Sequence, residues 1–170
     1  VYDEVNDADT LQKALEEALV EYNDSNPVMD LVLFEDAVKH VCRIARIISQ
    51  PGGHALLVGV GGSGKQSLSR LAACICGYDV EMIVISGTYS VSNLKEDLQR
   101  MYRKTGQKGE PVLFLFTDSQ IVDERFLVLI NDLLASGEIP DLFAAEDKDE
   151  IINAIRPEVK AQGLPDTREN

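Results

Sequence analysis

No stretch of this 170-residue sequence approaches the roughly 20 consecutive apolar residues that a membrane helix needs. No signal peptide opens it, and the first residues, Val1-Tyr2-Asp3-Glu4, come without Met. The chain therefore reads as a piece of a longer polypeptide, with the cytoplasm as its expected compartment. Basic residues are scarce: Lys plus Arg is 16 against 29 for Asp plus Glu, a net charge of −13. That balance argues against coating nucleic acid or an anionic membrane, so neither is expected as a partner. It leaves a nucleotide open, because a nucleotide needs only a local positive site. Cysteine is equally sparse. Cys42, Cys74 and Cys76 lack metal-like spacing, and the last two fall on one helix that could not easily bridge them. They suit a reducing compartment and the role of small buried hydrophobes. Internal repeats and low-complexity tracts are absent.

What is present is a phosphate-binding pattern. Gly59-Val60-Gly61-Gly62-Ser63-Gly64-Lys65-Gln66-Ser67 follows a short apolar run, His54–Val58, that reads as a buried strand. After it, Leu68, Leu71, Ala72 and Ile75 recur at i, i+3, i+4 and i+7, one face of a helix. Glycines let backbone N–H groups point inward, the helix N-terminus adds partial positive charge, and Lys65 adds a full one. The flanking strand and helix weigh against a plain turn with flexible glycines. One position departs from the P-loop pattern G-x-x-x-x-G-K-[ST], whose final hydroxyl holds Mg²⁺. Gln66 stands there, and Ser67 points about 100° away from it on the helix. Phosphate cradling is expected to survive, and Mg²⁺ coordination to be weakened.

Upstream, Thr10 is the expected cap of a helix with Leu11, Leu15, Ala18, Leu19 and Tyr22 on its apolar face. Asn23–Pro27 ends it, and Met29–Phe34 is too short to assign. A second helix carries Val38, Val41, Cys42, Ala45 and Ile48 inward and stops at Gln50–Gly53. Downstream, Glu81–Ser86 reads as a buried strand, and a helix follows with Leu94, Leu98, Met101 and Tyr102 inward. Pro111–Thr117 is the strongest strand signal, apolar enough to be covered on both faces. A helix around Phe126, Ile130, Leu133 and Leu134 comes next. Then come a loop at Ile139–Phe143 and a short amphipathic helix from Glu146 to Ile155. The alternation predicts an α/β fold with a parallel sheet.

A P-loop works with an acid at the end of a neighbouring strand, which holds Mg²⁺ directly or through water. Asp118, immediately after the apolar run, is that residue; the plainer alternative is a turn cap. ATP hydrolases of this architecture often follow it with a Glu that orients the attacking water. Here Ser119 occupies the position, and its hydroxyl is a poor base near neutral pH. No residue is therefore assigned as catalytic. Asp118 is not followed by the glycine of Asp-x-x-Gly, and no Asn-Lys-x-Asp occurs, so ATP or ADP is expected rather than a guanine nucleotide.

With both halves in place, the sequence resembles the fourth AAA+ module of dynein heavy chains, the axonemal type more than the cytoplasmic. The resemblance is carried by Asn26–Ile44, Leu56–Ala72, Phe114–Ile121 and Asn131–Phe143. It implies an AAA+ P-loop NTPase fold, a three-layer sandwich with a parallel sheet, here incomplete. Residues 1–27 would be an N-terminal helix and linker, 28–156 the partial large subdomain, and 157–170 an irregular tail. Later strands, the sensor residue and the helical lid would lie outside the chain. The segment Val28–Phe34, with Val32, Leu33 and Phe34, would lie against the adenine. The implied strand order, 5-1-4-3-2, separates the P-loop strand from the Asp118 strand.

The resemblance further implies a ring of six modules in which this one binds nucleotide and modulates a primary ATPase elsewhere. Its partners would be neighbouring modules, other dynein chains and, through the rest of the motor, the microtubule, in the axoneme of a cilium or flagellum. Gln66 and Ser119 favour a regulatory module over an active hydrolase with Glu124, or a residue beyond this chain, as base. Intact Gly64, Lys65 and Asp118 weigh against a structural segment with a vestigial P-loop.

Overall fold

In the computed structural model, which describes residues 3–165 and 167, Asp7 rather than Thr10 caps the first helix, α1 (Ala8–Ser25). The Asp7 carboxylate accepts from the N–H of Asp9 at 3.2 Å and from the Thr10 hydroxyl at 2.6 Å. An ionised acceptor at the positive end of a helix outcompetes a hydroxyl three residues on. The chain forms two units, Val1–Met82 with Leu113–Leu115, and Ile83–Val112 with Phe116–Asn170.

The first unit is built from α1, α2 (Glu35–Ile48) and α3 (Lys65–Cys76). Its core joins Leu15 and Tyr22 of α1, Ala37, Val38, Val41, Ile44 and Ala45 of α2, and Leu68, Leu71 and Ala72 of α3. Val41 and Leu71 are fully buried, and Leu71→Ala would cost about 2–5 kcal/mol. Two short parallel strands follow, β1 (Asp79–Glu81) and β2 (Val112–Phe114), the only sheet among the described residues.

Three strand expectations change here. His54–Val58 forms no strand, and Leu56 and Val58 are 90% and 88% exposed. β1 and β2 pair with each other, and among the described residues the P-loop run has no ladder neighbour; an apolar sequence alone does not make a strand. β1 begins two residues before the expected segment and ends at Glu81, and β2 stops at Phe114 and is only half-buried. The β1–β2 pairing agrees with the adjacency of the second and third strands in the implied order.

The second unit contains α4 (Val91–Tyr102), a π-turn over Arg103–Gln107, a 3₁₀ turn over Asp118–Gln120, α5 (Arg125–Ser136) and α6 (Ala145–Ala161). Leu94, Leu98, Met101, Phe126, Leu129, Ile139 and Leu142 are buried, whereas Leu134, expected inward, is half exposed. Tyr89 meets Phe126 edge-on, with ring centroids 5.9 Å apart. Arg103 lies over the Phe143 ring and reaches Asp147 at 2.7 Å, tying down the first turn of α6. α6 continues past Ile155, through Pro157, so the first residues of the expected irregular tail are helical. Its stop is Gly163 in the left-handed conformation, where the Leu164 N–H returns to the Val159 carbonyl.

Candidate functional site

The P-loop belongs to the first unit. Gly64 takes a left-handed conformation (φ 74°, ψ 10°) that lets the chain enter α3 directly, and its carbonyl accepts from the Leu68 N–H at 2.9 Å. Lys65, the first residue of α3, folds back over the loop. Its ammonium donates to the carbonyls of Gly59 (2.9 Å) and Val60 (2.8 Å) and contacts the Ser63 hydroxyl at 3.1 Å. An ammonium has three protons, and these contacts employ all of them. A phosphate oxygen at this position would exchange neutral acceptors for an anionic one, the stronger partner. Gln66 is exposed and Ser67 half-buried.

The segment before α2 is extended and alternates. Leu33 is buried in the helical core at 6% exposure, whereas Val32 and Phe34 point outward at 74% and 61%. Leu31 is the residue of this stretch that reaches the P-loop: a Cβ on Gly64 would stand 3.9 Å from its Cδ1. The three expected base-contact residues therefore divide, with Leu33 in the core and the other two on the opposite face. Leu31 lies within the expected segment Val28–Phe34, and a period of two through Met29, Leu31 and Leu33 marks its more buried face.

Asp118 and Ser119 belong to the second unit. Asp118 opens the 3₁₀ turn with its side chain exposed, and the Ser119 hydroxyl lies 3.0 Å from that of Thr117. Gln120, which closes the turn, is 7% exposed and bonded at both ends of its carboxamide: Oε1 accepts from the Thr117 N–H at 2.9 Å, and Nε2 donates to the Ile83 carbonyl at 2.6 Å. Sequence reasoning passed over it. Further on, Asp123 is held by the Arg125 guanidinium, with contacts of 2.6 to 3.1 Å, and accepts from the Arg125 N–H at 2.9 Å. The Arg125 side-chain hydrogen bond is the main reason its carboxyl is pulled down to about 2, which makes Asp123 a weak base. Glu124 sits exposed at the start of α5.

No group of three or more His, Cys, Asp or Glu side chains gathers among the described residues. The exposed Asp118 carboxylate suits a hard cation, and the Gln66 position supplies no hydroxyl. Among the described residues, no helix is long and apolar enough to cross a membrane. The cysteines are unbridged and half-buried, and burial raises the thiol pKa of Cys42 and Cys74.

A family model for the P-loop containing dynein motor region D4 matches residues 29–170. The chain is 72% identical over 169 residues to the dynein alpha chain of the flagellar outer arm of Chlamydomonas reinhardtii, covering 99% of this chain. It is 59% identical over 170 residues to the flagellar outer arm beta chain of the same organism, and 57% identical over 169 residues to dynein axonemal heavy chain 11 of Sus scrofa. These matches cover 100% and 99% of the chain respectively. The chain spans 4% of the length of each of these relatives.

Proposed function

This chain belongs to the dynein heavy-chain family, in its P-loop motor region, and from that premise we propose that it acts as a regulatory nucleotide-binding AAA+ module. It is the fourth module of the ring, and residues 28–156 form its partial large subdomain. It holds ATP or ADP with little or no hydrolysis of its own. The observation that carries this reading is the Lys65 ammonium, held over Gly59–Ser63 in a loop able to receive phosphate.

The loop backbone from Gly59 to Gly64 and the N-terminus of α3 take the phosphates, with Lys65 as the positive charge. The Ser67 hydroxyl and the Gln66 amide border the site, and the extended segment through Leu31 and Val32 to Phe34 flanks the base. Asp118 holds Mg²⁺ through water. The cation, when bound, neutralises charge on the phosphate oxygens. Little turnover follows from the residues around Asp118. Ser119 is no base at neutral pH, Asp123 is neutralised by Arg125, and Glu124 lies six residues beyond Asp118.

The relatives are named as flagellar outer arm and axonemal chains, which places this module in the axonemal cytoskeleton of a cilium or flagellum. Its direct partners are neighbouring modules of the same heavy chain, and the microtubule and other dynein chains are reached through the rest of the motor. The test is nucleotide binding and single-turnover hydrolysis on the complete module, with and without Mg²⁺. Micromolar binding with turnover well below that of the primary ATPase is expected. Turnover matching the primary site would make the module an active hydrolase, and absence of binding would make it a structural segment.

A further inference from the structure

In a parallel ladder, bonds from one strand to its neighbour recur every second residue. The Leu115 N–H donates to the Glu81 carbonyl at 2.9 Å. Two residues on along each segment, past the ends of β1 and β2, a further rung would join the Thr117 N–H to the Ile83 carbonyl. The Gln120 carboxamide occupies that rung instead. It accepts from Thr117 with one end and donates to Ile83 with the other, as an inserted peptide group would. Gln120 is buried and both arms are satisfied, so the carboxamide is a fixed spacer rather than a mobile side chain. Two residues, Asp118 and Ser119, lie in the turn between Thr117 and Gln120.

We propose that Gln120 is a positioning residue for Asp118: its carboxamide replaces one rung between Thr117 and Ile83, and so fixes where the Asp118 carboxylate stands at the strand end. This rests on the reading of Asp118 as the Mg²⁺ residue. An ordinary capping interaction would need only the arm to Thr117. The arm to Ile83 is what ties the turn to the neighbouring segment. Ligands of open α/β sheets bind outside the carboxyl ends of the strands, and Asp118 follows the carboxyl end of β2.

The test uses the full heavy chain, with the Lys65→Ala chain measured in parallel so that nucleotide bound at other sites is subtracted. The quantity read is the gain in ADP affinity on replacing EDTA with Mg²⁺. Asp118→Asn should abolish most of that gain. Gln120→Met, which removes both arms at similar volume, should cut the gain by about tenfold while changing the affinity in EDTA less than about twofold. Gln120→Glu keeps the acceptor for Thr117 and loses the donor to Ile83, and it should also cut the gain. Equal losses in EDTA and Mg²⁺ would reduce Gln120 to a structural role, and a wild-type gain in Gln120→Glu would reduce it to a cap. Either result overturns the proposal. A full gain in Asp118→Asn overturns instead the reading on which it rests.

Discussion

The Lys65 ammonium donates to the Val60 carbonyl at 2.8 Å, so the side chain spans the loop it is meant to charge. Its partners are loop oxygens, not core side chains, and replacing it opens no apolar cavity. Lys65→Ala in the complete module is therefore expected to leave the melting temperature nearly unchanged. It should weaken ATP binding about 10- to 100-fold, the loss of a charge-assisted contact to phosphate. Calorimetric titration decides: equal affinities for the two proteins would remove Lys65 from the site.

The P-loop and the helix behind it were legible because both are local. Glycine spacing sets the turn, and Leu68, Leu71 and Ala72 are buried as expected, whereas Ile75, expected on the same face, is 44% exposed. Pro157 misled because helix termination is decided by where a left-handed residue can sit, here Gly163. The strands were read less well, since pairing is non-local. Nothing in His54–Val58 records whether a neighbour stands beside it, and its apolar residues are mostly exposed. Gln120 was invisible for the same reason, as its second partner, Ile83, lies 37 residues away.

Two substitutions separate the causes of slow turnover. Ser119→Glu restores a carboxylate next to Asp118, and Gln66→Thr restores the hydroxyl after Lys65. If the missing base dominates, Ser119→Glu alone raises single-turnover hydrolysis by about 10²-fold or more, the usual contribution of a positioned base. If Mg²⁺ placement dominates, only the double variant gains. Wild-type turnover already equal to that of the double variant would show that neither residue limits hydrolysis.

Tyr89 provides a test of the second unit by pH. Burial, followed by the 2.6 Å hydrogen bond to Asp97, pushes its phenol well above the ordinary value of 10. The folded state thus keeps a proton that the unfolded state releases first. Stability from this group is fully present below about pH 10 and is lost as pH rises above it. Tyr89→Phe should flatten that alkaline loss, read as the difference between urea midpoints at about pH 8 and about pH 11. An identical alkaline slope in the variant would mean that Tyr89 ionises freely in the folded protein.

The last prediction separates neighbours on the run before the P-loop. Leu56 and Val58 are 90% and 88% exposed, whereas Leu57 between them packs against the helical core of the first unit. An uncharged, apolar segment with no paired strand among the described residues is a template for pairing with other chains. The isolated 170-residue chain should therefore aggregate as its concentration rises, by light scattering. Leu56→Lys with Val58→Lys should suppress this without altering the helical circular dichroism, because neither side chain contributes to the core. Leu57→Lys should instead destabilise the first unit, since it sets an ammonium against the apolar core cluster. If the double variant aggregates as readily as the wild type, the run is not the associating surface. If Leu57→Lys proves as benign as its neighbours, the alternation that turns one residue in and two out is wrong.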